Sequence, residues 1–427
     1  VAVLAKAAAH GVKPVSFTPP PQTAAHTMLL AADLTPRFLA LDAFLREHEH
    51  LWRPKPFTQR RLPWEAQHPE LSTWLRQRSL ADAEAAHNHP ECLDAPAPFA
   101  QLARQSRALS EVDTFPSHAL AARGSRMSVD VPGRKWQQIE AFASRLSFRQ
   151  TPTHWLDWCA GKGHLGRRLA HDGQALTCFE YDENLVEAGR LLSRKLGINA
   201  LHLQQEVMAD SAAARLAAHH TPVALHACGD LHVRLMQLAS DARCQQMAIA
   251  PCCYNRIAGE RYQPLSAEGL ASPLTLSTDD LGLPLSETVT AGARVRRQRD
   301  ASMARRLGFD LLQRQLRGID HYLPTPSLPS AWLEKPFADY CRDLAALKAL
   351  PAPGAQNWDT LEAAGWQRLA EVRNLELLRN LFRRPLELWL TLDRALYLQQ
   401  RDYEVRIGTF CESHVTPRNL LILAERM

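Results

Sequence analysis

Asp157-Trp158-Cys159-Ala160-Gly161-Lys162-Gly163-His164-Leu165-Gly166 is the stretch whose reading decides the fold. It follows a short strand candidate, His154–Trp158, and opens an amphipathic helix over Leu165–Leu169. Gly161, Gly163 and Gly166 spell G-x-G-x-x-G, the loop that brings a strand onto a helix beneath an adenosine cofactor, and Glu180 stands about 20 positions later, where a ribose-binding acid belongs. Asp157 argues against a dinucleotide. A carboxylate at the end of the first strand would repel a pyrophosphate, which should meet the helix N-terminus alone. S-adenosylmethionine carries a sulfonium and an ammonium and no phosphate, so Asp157 beside those cations and Glu180 on the ribose make electrostatic sense. Tyr181 follows that acid, and Glu206 with Val207 follows the third strand, where an acid accepts the adenine amino hydrogen. Cys159 stands where a further glycine is common, which predicts a tighter first turn.

Outward from this loop the texture is strand, helix, strand. Leu176–Glu180, Leu201–Gln204, Val223–His226 and Met247–Ala250 read as strands, with helices over Glu187–Leu196 (stopped by Gly197) and Val233–Ala239. Such alternation predicts an α/β fold, a parallel, doubly wound sheet. The end of the chain returns to β, with Glu404–Phe410, a turn at Thr416-Pro417-Arg418-Asn419 and Leu420–Leu423, a hairpin placed to complete the sheet. Between sheet and hairpin, Leu285–Leu381 reads as helical with proline punctuation, hence an insertion. Before the sheet, Phe38, Leu41, Phe44 and Leu45 fall on one helix face, and Trp52, Phe57, Trp64 and Trp74 among prolines suggest a small packed module. The expected organisation is an N-terminal helical module over 28–131, a core over 132–284, an arginine-rich helical insertion over 285–385, and a closing helix and hairpin over 386–427. The Ala/Pro/Thr-rich residues before Met28 read as a loose extension.

Composition narrows the class. With 427 residues, two or three domains are expected. Hydrophobic residues make up 46% and charged residues 22%, ordinary globular values that exclude disorder and collagen. Apolar runs are far too short to span a bilayer, and no basic-then-apolar segment opens the sequence, so no membrane partner is expected. Nine cysteines, an odd number without a compact framework, read as thiols of a cytoplasmic protein. The net charge of +5 suits a polyanionic partner without requiring one.

Two further motifs carry chemistry: Leu225-His226-Ala227-Cys228-Gly229-Asp230-Leu231 and Pro251-Cys252-Cys253-Tyr254, at the ends of the fourth and fifth strands. With the glycine loop, Leu392-Asp393-Arg394, Tyr397-Leu398 and Thr416-Pro417-Arg418-Asn419, they resemble class I S-adenosylmethionine-dependent methyltransferases. The group is the methyltransferase-like one that includes the ribosomal-RNA-adenine-dimethylase-domain-containing proteins, with the glutathione-S-transferase C-terminal-domain-containing protein as another relative. More distantly, the pair of motifs is similar to tRNA acceptor-stem 2′-O-methyltransferases, which carry histidine where this chain has Tyr254. The resemblance spans Pro132 to the end. It implies a Rossmann-like methyltransferase with S-adenosylmethionine as cofactor and RNA, tRNA or rRNA, as acceptor. An acceptor of protein or small-molecule type, or a non-catalytic RNA-binding or assembly factor on the same fold, is the alternative.

Ligands of such sheets lie beyond the carboxyl ends of the strands, so the two motifs should border the transferred methyl. Asp230 or His226 is placed to take the acceptor proton. Tyr254 is placed to stack on a base, with core packing as the alternative. Cys252 and Cys253 complete the candidate catalytic set, and His226 is also counted with the cofactor. Cys228, Cys252, Cys253 and His226 have zinc-ligand chemistry, but adjacent cysteines chelate poorly and the sequence has no C-x-x-C, so buried thiols and no metal are expected. Two basic features are candidate substrate contacts. Arg134, Lys135 and Trp136 precede the first strand, where the resemblance places a basic stretch. Arg297 and Arg305 belong to the arginine-rich run from Arg294 to Arg317, a candidate RNA-backbone clamp beside the catalytic mouth or a solvated surface.

Overall fold

The structure, a computed structural model, describes residues 28–121, 125–129, 131–170, 173–286 and 293–427. The stretch before Met28 and residues 287–292 at the start of the insertion lie outside them. Five strands run parallel, β1 (His154–Trp158), β2 (Ala175–Glu180), β3 (Ala200–Gln204), β4 (His220–Cys228) and β5 (Gln246–Cys252), and β6 (Tyr403–Thr409) and β7 (Leu420–Arg426) form the late hairpin. The order is β3-β2-β1-β4-β5-β7-β6, with β7 antiparallel to β5. The α/β fold expected from the alternating texture is therefore present, and the hairpin completes the sheet. Apolar residues alternate poorly along β4, β5 and β7 because both faces are covered, as buried central strands require.

The sheet edge at β6 is covered. Leu29 bridges to Ile407 and Thr114 to Thr409, so segments of the N-terminal region occupy the open ladder positions. The helix Ala31–Glu47 buries Phe38, Leu41, Phe44 and Leu45, the face read from their spacing, and packs on Arg383–Gln399. One continuous apolar core runs from Leu29 through the sheet to Ala424, so the N-terminal helices and the sheet share a core.

The insertion docks on the N-terminal helices through Trp358–Asn380, which packs on Pro69–Gln77, Leu80–Ala86 and Ala293–Arg317. Arginines fasten it. Arg368 donates to the Pro56 and Gln59 carbonyls, Arg379 to the Trp52 carbonyl, and Arg314 to Thr58 O, Asp310 and Asp320.

The closing helix Arg383–Gln399 is buried on all sides and carries two heavily bonded charges, Asp393 and Arg394. Asp393 accepts from the Tyr262 hydroxyl at 2.6 Å, the Leu265 N–H at 2.8 Å, and both the N–H and hydroxyl of Ser266 at 2.9 and 2.6 Å. Arg394 donates to the same Tyr262 hydroxyl at 3.0 Å, to Leu390 O at 2.7 Å and to His232 Nε2 at 2.7 Å, and its guanidinium lies over the Tyr254 and Tyr262 rings. His232 Nδ1 donates in turn to the Ala227 carbonyl at 3.0 Å. These two bonds fix its tautomer and demand a neutral ring. Burial, and then Arg394, press its pKa down to about 3.

Asp393→Ala leaves two backbone N–H groups and two hydroxyls without their acceptor, and strands Arg394 in the core. A loss of about 3–5 kcal/mol in denaturant titration is expected, and a loss near zero would refute the role given to this carboxylate. Because the His232 pKa is depressed in the folded state, the stability it contributes is whole above about pH 6.5 and drains as the pH falls toward 3. Its share amounts to about 2 kcal/mol by pH 5, and His232→Asn should flatten that part of the stability–pH curve.

Candidate active site at the carboxyl ends of the strands

The glycine loop is shaped by three consecutive demands. Cys159, Gly161 and Gly163 have φ of 56°, 57° and 73°, so the chain turns through the left-handed region three times within five residues. Cys159 does so at the cost of a non-glycine residue there. Burial, then Glu180 and Asp157, push its thiol up to about 12, so it stays neutral. At Gly163 a Cβ would lie 2.7 Å from His202, and at Gly166 one would lie 2.5 Å from Leu176 and 3.0 Å from Asp157. These glycines let the helix sit directly on β1 and β2. Gly161 differs, because a Cβ there would point into open space.

Glu180 ends β2 and holds the loop open. One carboxylate oxygen accepts the Gly161 N–H at 2.8 Å and the other the Asp182 N–H at 3.0 Å. Each keeps a lone pair for a ligand hydroxyl. Tyr181, next to it, is exposed. Asp157 does something other than the sequence reading gave it. It is 2% exposed, and its carboxylate accepts the Gly166 N–H at 2.8 Å. That N–H is one of the unpaired donors of the first helical turn, so Asp157 caps the helix from the strand and does not face a cationic ligand. Burial lifts its pKa to about 6, against the pull of Gly166, Arg167 and Lys135. Glu206 is exposed and accepts the Met208 N–H at 3.1 Å, while Val207 is buried in the core.

β4 and β5 end in strained turns. Their pairing shifts register between Leu225 and Cys228, and His226 within that irregularity has φ 73°. Gly229 follows with φ 53°, and a Cβ there would stand 1.9 Å from the Arg256 carbonyl oxygen. Asp230 opens the next helix. Its N–H donates to that same carbonyl at 2.9 Å, and its carboxylate accepts the Ala258 N–H at 2.7 Å, so it clamps the loop after β5. Desolvation and then Lys135 lower the His226 pKa, which keeps its imidazole neutral at pH 7. The thiols of Cys228, Cys252 and Cys253 meet within 4.8 Å of one another. Hydrogen bonding from Cys228 and Cys252 holds the Cys253 thiol far below the usual range, and Arg418 and Arg256 add to this against burial. The antiparallel pairing of β5 with β7 brings the Thr416–Asn419 turn to this end of the sheet.

Three expectations are corrected. Tyr254 is fully buried, its hydroxyl 3.1 Å from that of Thr391 and its ring under Arg394, so it packs the core and does not stack on a base. Its hydroxyl is pushed up in pKa by the same burial. Arg305 donates to the Trp332 and Lys335 carbonyls and pairs with Glu362, which spends it on the fold of the insertion. Arg297 is exposed, but its helix, Ala293–Arg317, packs on Trp358–Asn380, and no extensive contact with the sheet is present among the described residues. Those arginines are therefore no clamp beside the mouth. Arg134 and Lys135 do stand on the exposed first turn of Gly133–Ala143, and the charge of Lys135 reaches Asp157 and His226. Trp136 is half-buried against the sheet core. The sequence reading missed His232, Arg256 and Arg418; only Arg418 lay in a quoted motif. A cavity of about 260 Å³ lies near this end, lined by Arg107, Arg383, Arg384, Pro417 and Asn419 among others.

Residues 134–260 match the family model described as a methyltransferase domain. A glutathione S-transferase C-terminal domain-containing protein of Xenopus laevis is 31% identical over 149 residues, which is 34% of this chain and 23% of that protein. The chain thus matches less than a quarter of that relative's length. No solved structure matches it significantly. The matched segment holds β1 to β5 and both strand-end motifs, and the sheet order is that of a Rossmann-like methyltransferase. Residues 134–260 thus match a methyltransferase domain in sequence, and the sheet they build is consistent with one in its order.

Gly229→Ala is the sharpest test of how the site is built. The Cβ would collide with backbone, so the β4 turn and the loop after β5 must separate. Faster limited proteolysis between residues 253 and 262, with the sheet core intact, is the expected result; an unchanged pattern would show that the two turns are not locked together.

Proposed function

We propose that the chain is a cytosolic S-adenosylmethionine-dependent methyltransferase whose acceptor is an RNA, tRNA or rRNA. The cofactor reading is supported by the loop itself. Gly161 leaves open space where any side chain would intrude, and Glu180 beside it retains lone pairs that suit a vicinal diol. Gly161, Gly163, Glu180, Tyr181 and Glu206 are the residues that would hold the nucleoside. When bound, the cofactor supplies a methyl group on a sulfonium, open to in-line attack. The chain's own contribution is alignment and exclusion of water. Asp157 fixes the loop on its helix, and Asp230 fixes the strand-end loops against each other. His226, neutral and at the mouth, is the group with a lone pair for the acceptor's proton.

The observation that carries the RNA reading is the convergence of cations on the strand ends. Lys135 bears on His226 and Asp157, and Arg256 and Arg418 bear on Cys253, so cations from three elements distant in sequence lie near one end of the sheet. A polyanionic acceptor is the partner such a mouth favours. A protein or small-molecule acceptor has no such specific observation in its favour.

Glu180→Ala should abolish S-adenosylmethionine binding in calorimetry, or weaken it more than about tenfold, the cost of one charge-assisted bond. Unchanged affinity would remove the pocket assignment. Tritium from the labelled methyl donor should enter cellular RNA, and transfer should fall by about tenfold or more as salt rises from about 50 to about 200 mM. Label confined to protein would transfer the enzyme to another substrate class, and label in neither would leave a non-catalytic factor.

A further inference from the structure

Cys228, Cys252 and Cys253 come together through backbone features that have no other evident use. Consecutive residues of a strand point to opposite faces, so Cys252 and Cys253 should diverge. The left-handed turn at Cys253, φ 46°, brings its thiol back to the side of Cys252. The register shift in β4 delivers Cys228 to the same point, with its sulfur 3.7 Å from that of Cys252. Non-glycine residues in the left-handed region carry backbone strain, and here Cys253 and His226 carry it at the carboxyl ends of adjacent strands. Adjacent cysteines were expected to chelate poorly, yet here both sulfurs and that of Cys228 lie within 4.8 Å of one another.

The spacing fits a metal ligand set as well as a thiol–thiol contact. Two thiolates on a tetrahedral zinc, each at about 2.3 Å, stand about 3.8 Å apart. The observed 3.7 Å is close to that and well beyond a disulfide bond. All three sulfurs fall within 4.8 Å, a small contraction from a tripod around one ion. Three thiolates and a divalent ion leave one negative charge, and Arg256 stands in the same turn as Cys253, its N–H donating to the Cys253 carbonyl at 2.9 Å. A second trio, His154, His219 and His220, lies at the other end of the sheet. There His154 Nε2 is bonded to Thr177 and His220 Nδ1 accepts the Ala217 N–H, so two of the three rings already have one nitrogen engaged.

We propose that Cys228, Cys252 and Cys253 form a three-thiolate binding site for a zinc-type divalent ion, with the fourth position open to water or to an acceptor heteroatom. Three protein ligands and one open position is the arrangement of zinc sites that take part in chemistry. Occupancy of the site stands on the thiols alone; its use by the acceptor rests on the methyl-transfer reading above.

The test uses the full chain purified without chelator. Elemental analysis should find about one zinc per chain, and cobalt(II) exchanged into the site should show thiolate-to-metal charge transfer with tetrahedral d–d bands. Cys228→Ser, Cys252→Ser and Cys253→Ser should each lose these bands and most of the zinc, while Cys92→Ser, an exposed thiol elsewhere, keeps both. Circular dichroism of each variant separates loss of a ligand from loss of fold, and the wild-type cobalt spectrum decides the matter even where a variant does not fold. No retained zinc with a purely aquo-like cobalt spectrum overturns the site, as does zinc that survives all three substitutions, or a Cys228–Cys252 disulfide in its place. Calorimetry with S-adenosylmethionine on the same samples keeps the two readings apart. Zinc without cofactor binding sinks only the methyl-transfer reading, and cofactor binding without zinc sinks only the metal site.

Discussion

A single guanidinium at the centre of the molecule sets the conditions that the rest must meet. Arg394 is wholly buried, and a bare cation there would be ruinous. It is tolerated because Tyr262 relays it to Asp393, because His232 offers a neutral acceptor, and because two tyrosine rings present their faces to it. Each of these partners comes from a different part of the chain. The helix after β4 gives His232, the turn after β5 gives Tyr254, and the following loop gives Tyr262. One charge therefore compels the closing helix, two strand-end segments and a loop to assemble together.

The same network reaches the chemistry. His232 passes its other hydrogen bond to the Ala227 carbonyl, which lies between His226 and Cys228, and the Cys252 thiol also approaches that carbonyl, at 3.7 Å. The strained turns at the strand ends are thus braced from below by a core that cannot relax without exposing a charge. This is how a protein keeps non-glycine residues in the left-handed region at an active site without losing the fold. The helical insertion contributes in another way. Its arginines find carbonyls and carboxylates within the chain and join the insertion to the N-terminal helices.

The sequence showed the sheet well and the side-chain directions poorly. Strand and helix positions were legible because apolar runs and glycine stops reflect local backbone demands; β1 was read to the residue and the late hairpin was placed correctly in the sheet. Asp157 was misassigned because its position at a strand end was clear but its direction was not. Only the structure shows its oxygen turned to the Gly166 N–H. Tyr254 and Arg305 failed for a related reason. An aromatic or an arginine in a motif reads the same whether it faces a substrate or satisfies the interior. The meeting of the three thiols was raised from the sequence and then set aside for want of a spacing rule, since it depends on one register shift and one reversed φ. His232 carried no signal at all: its role exists only because Arg394, far away in sequence, lies against it.

The position of β7 has a consequence for how the molecule is made. It lies between β5 and β6, so the parallel half of the sheet ends in an unpaired, apolar edge at β5 until residues 420–426 arrive. All of the insertion and the closing helix must be synthesised first. Throughout that interval the growing polypeptide offers β5 to any extended segment in its surroundings, and non-local pairing of this kind is slow. The cover of the central parallel strands on this side thus depends on the last seven-residue strand of the hairpin.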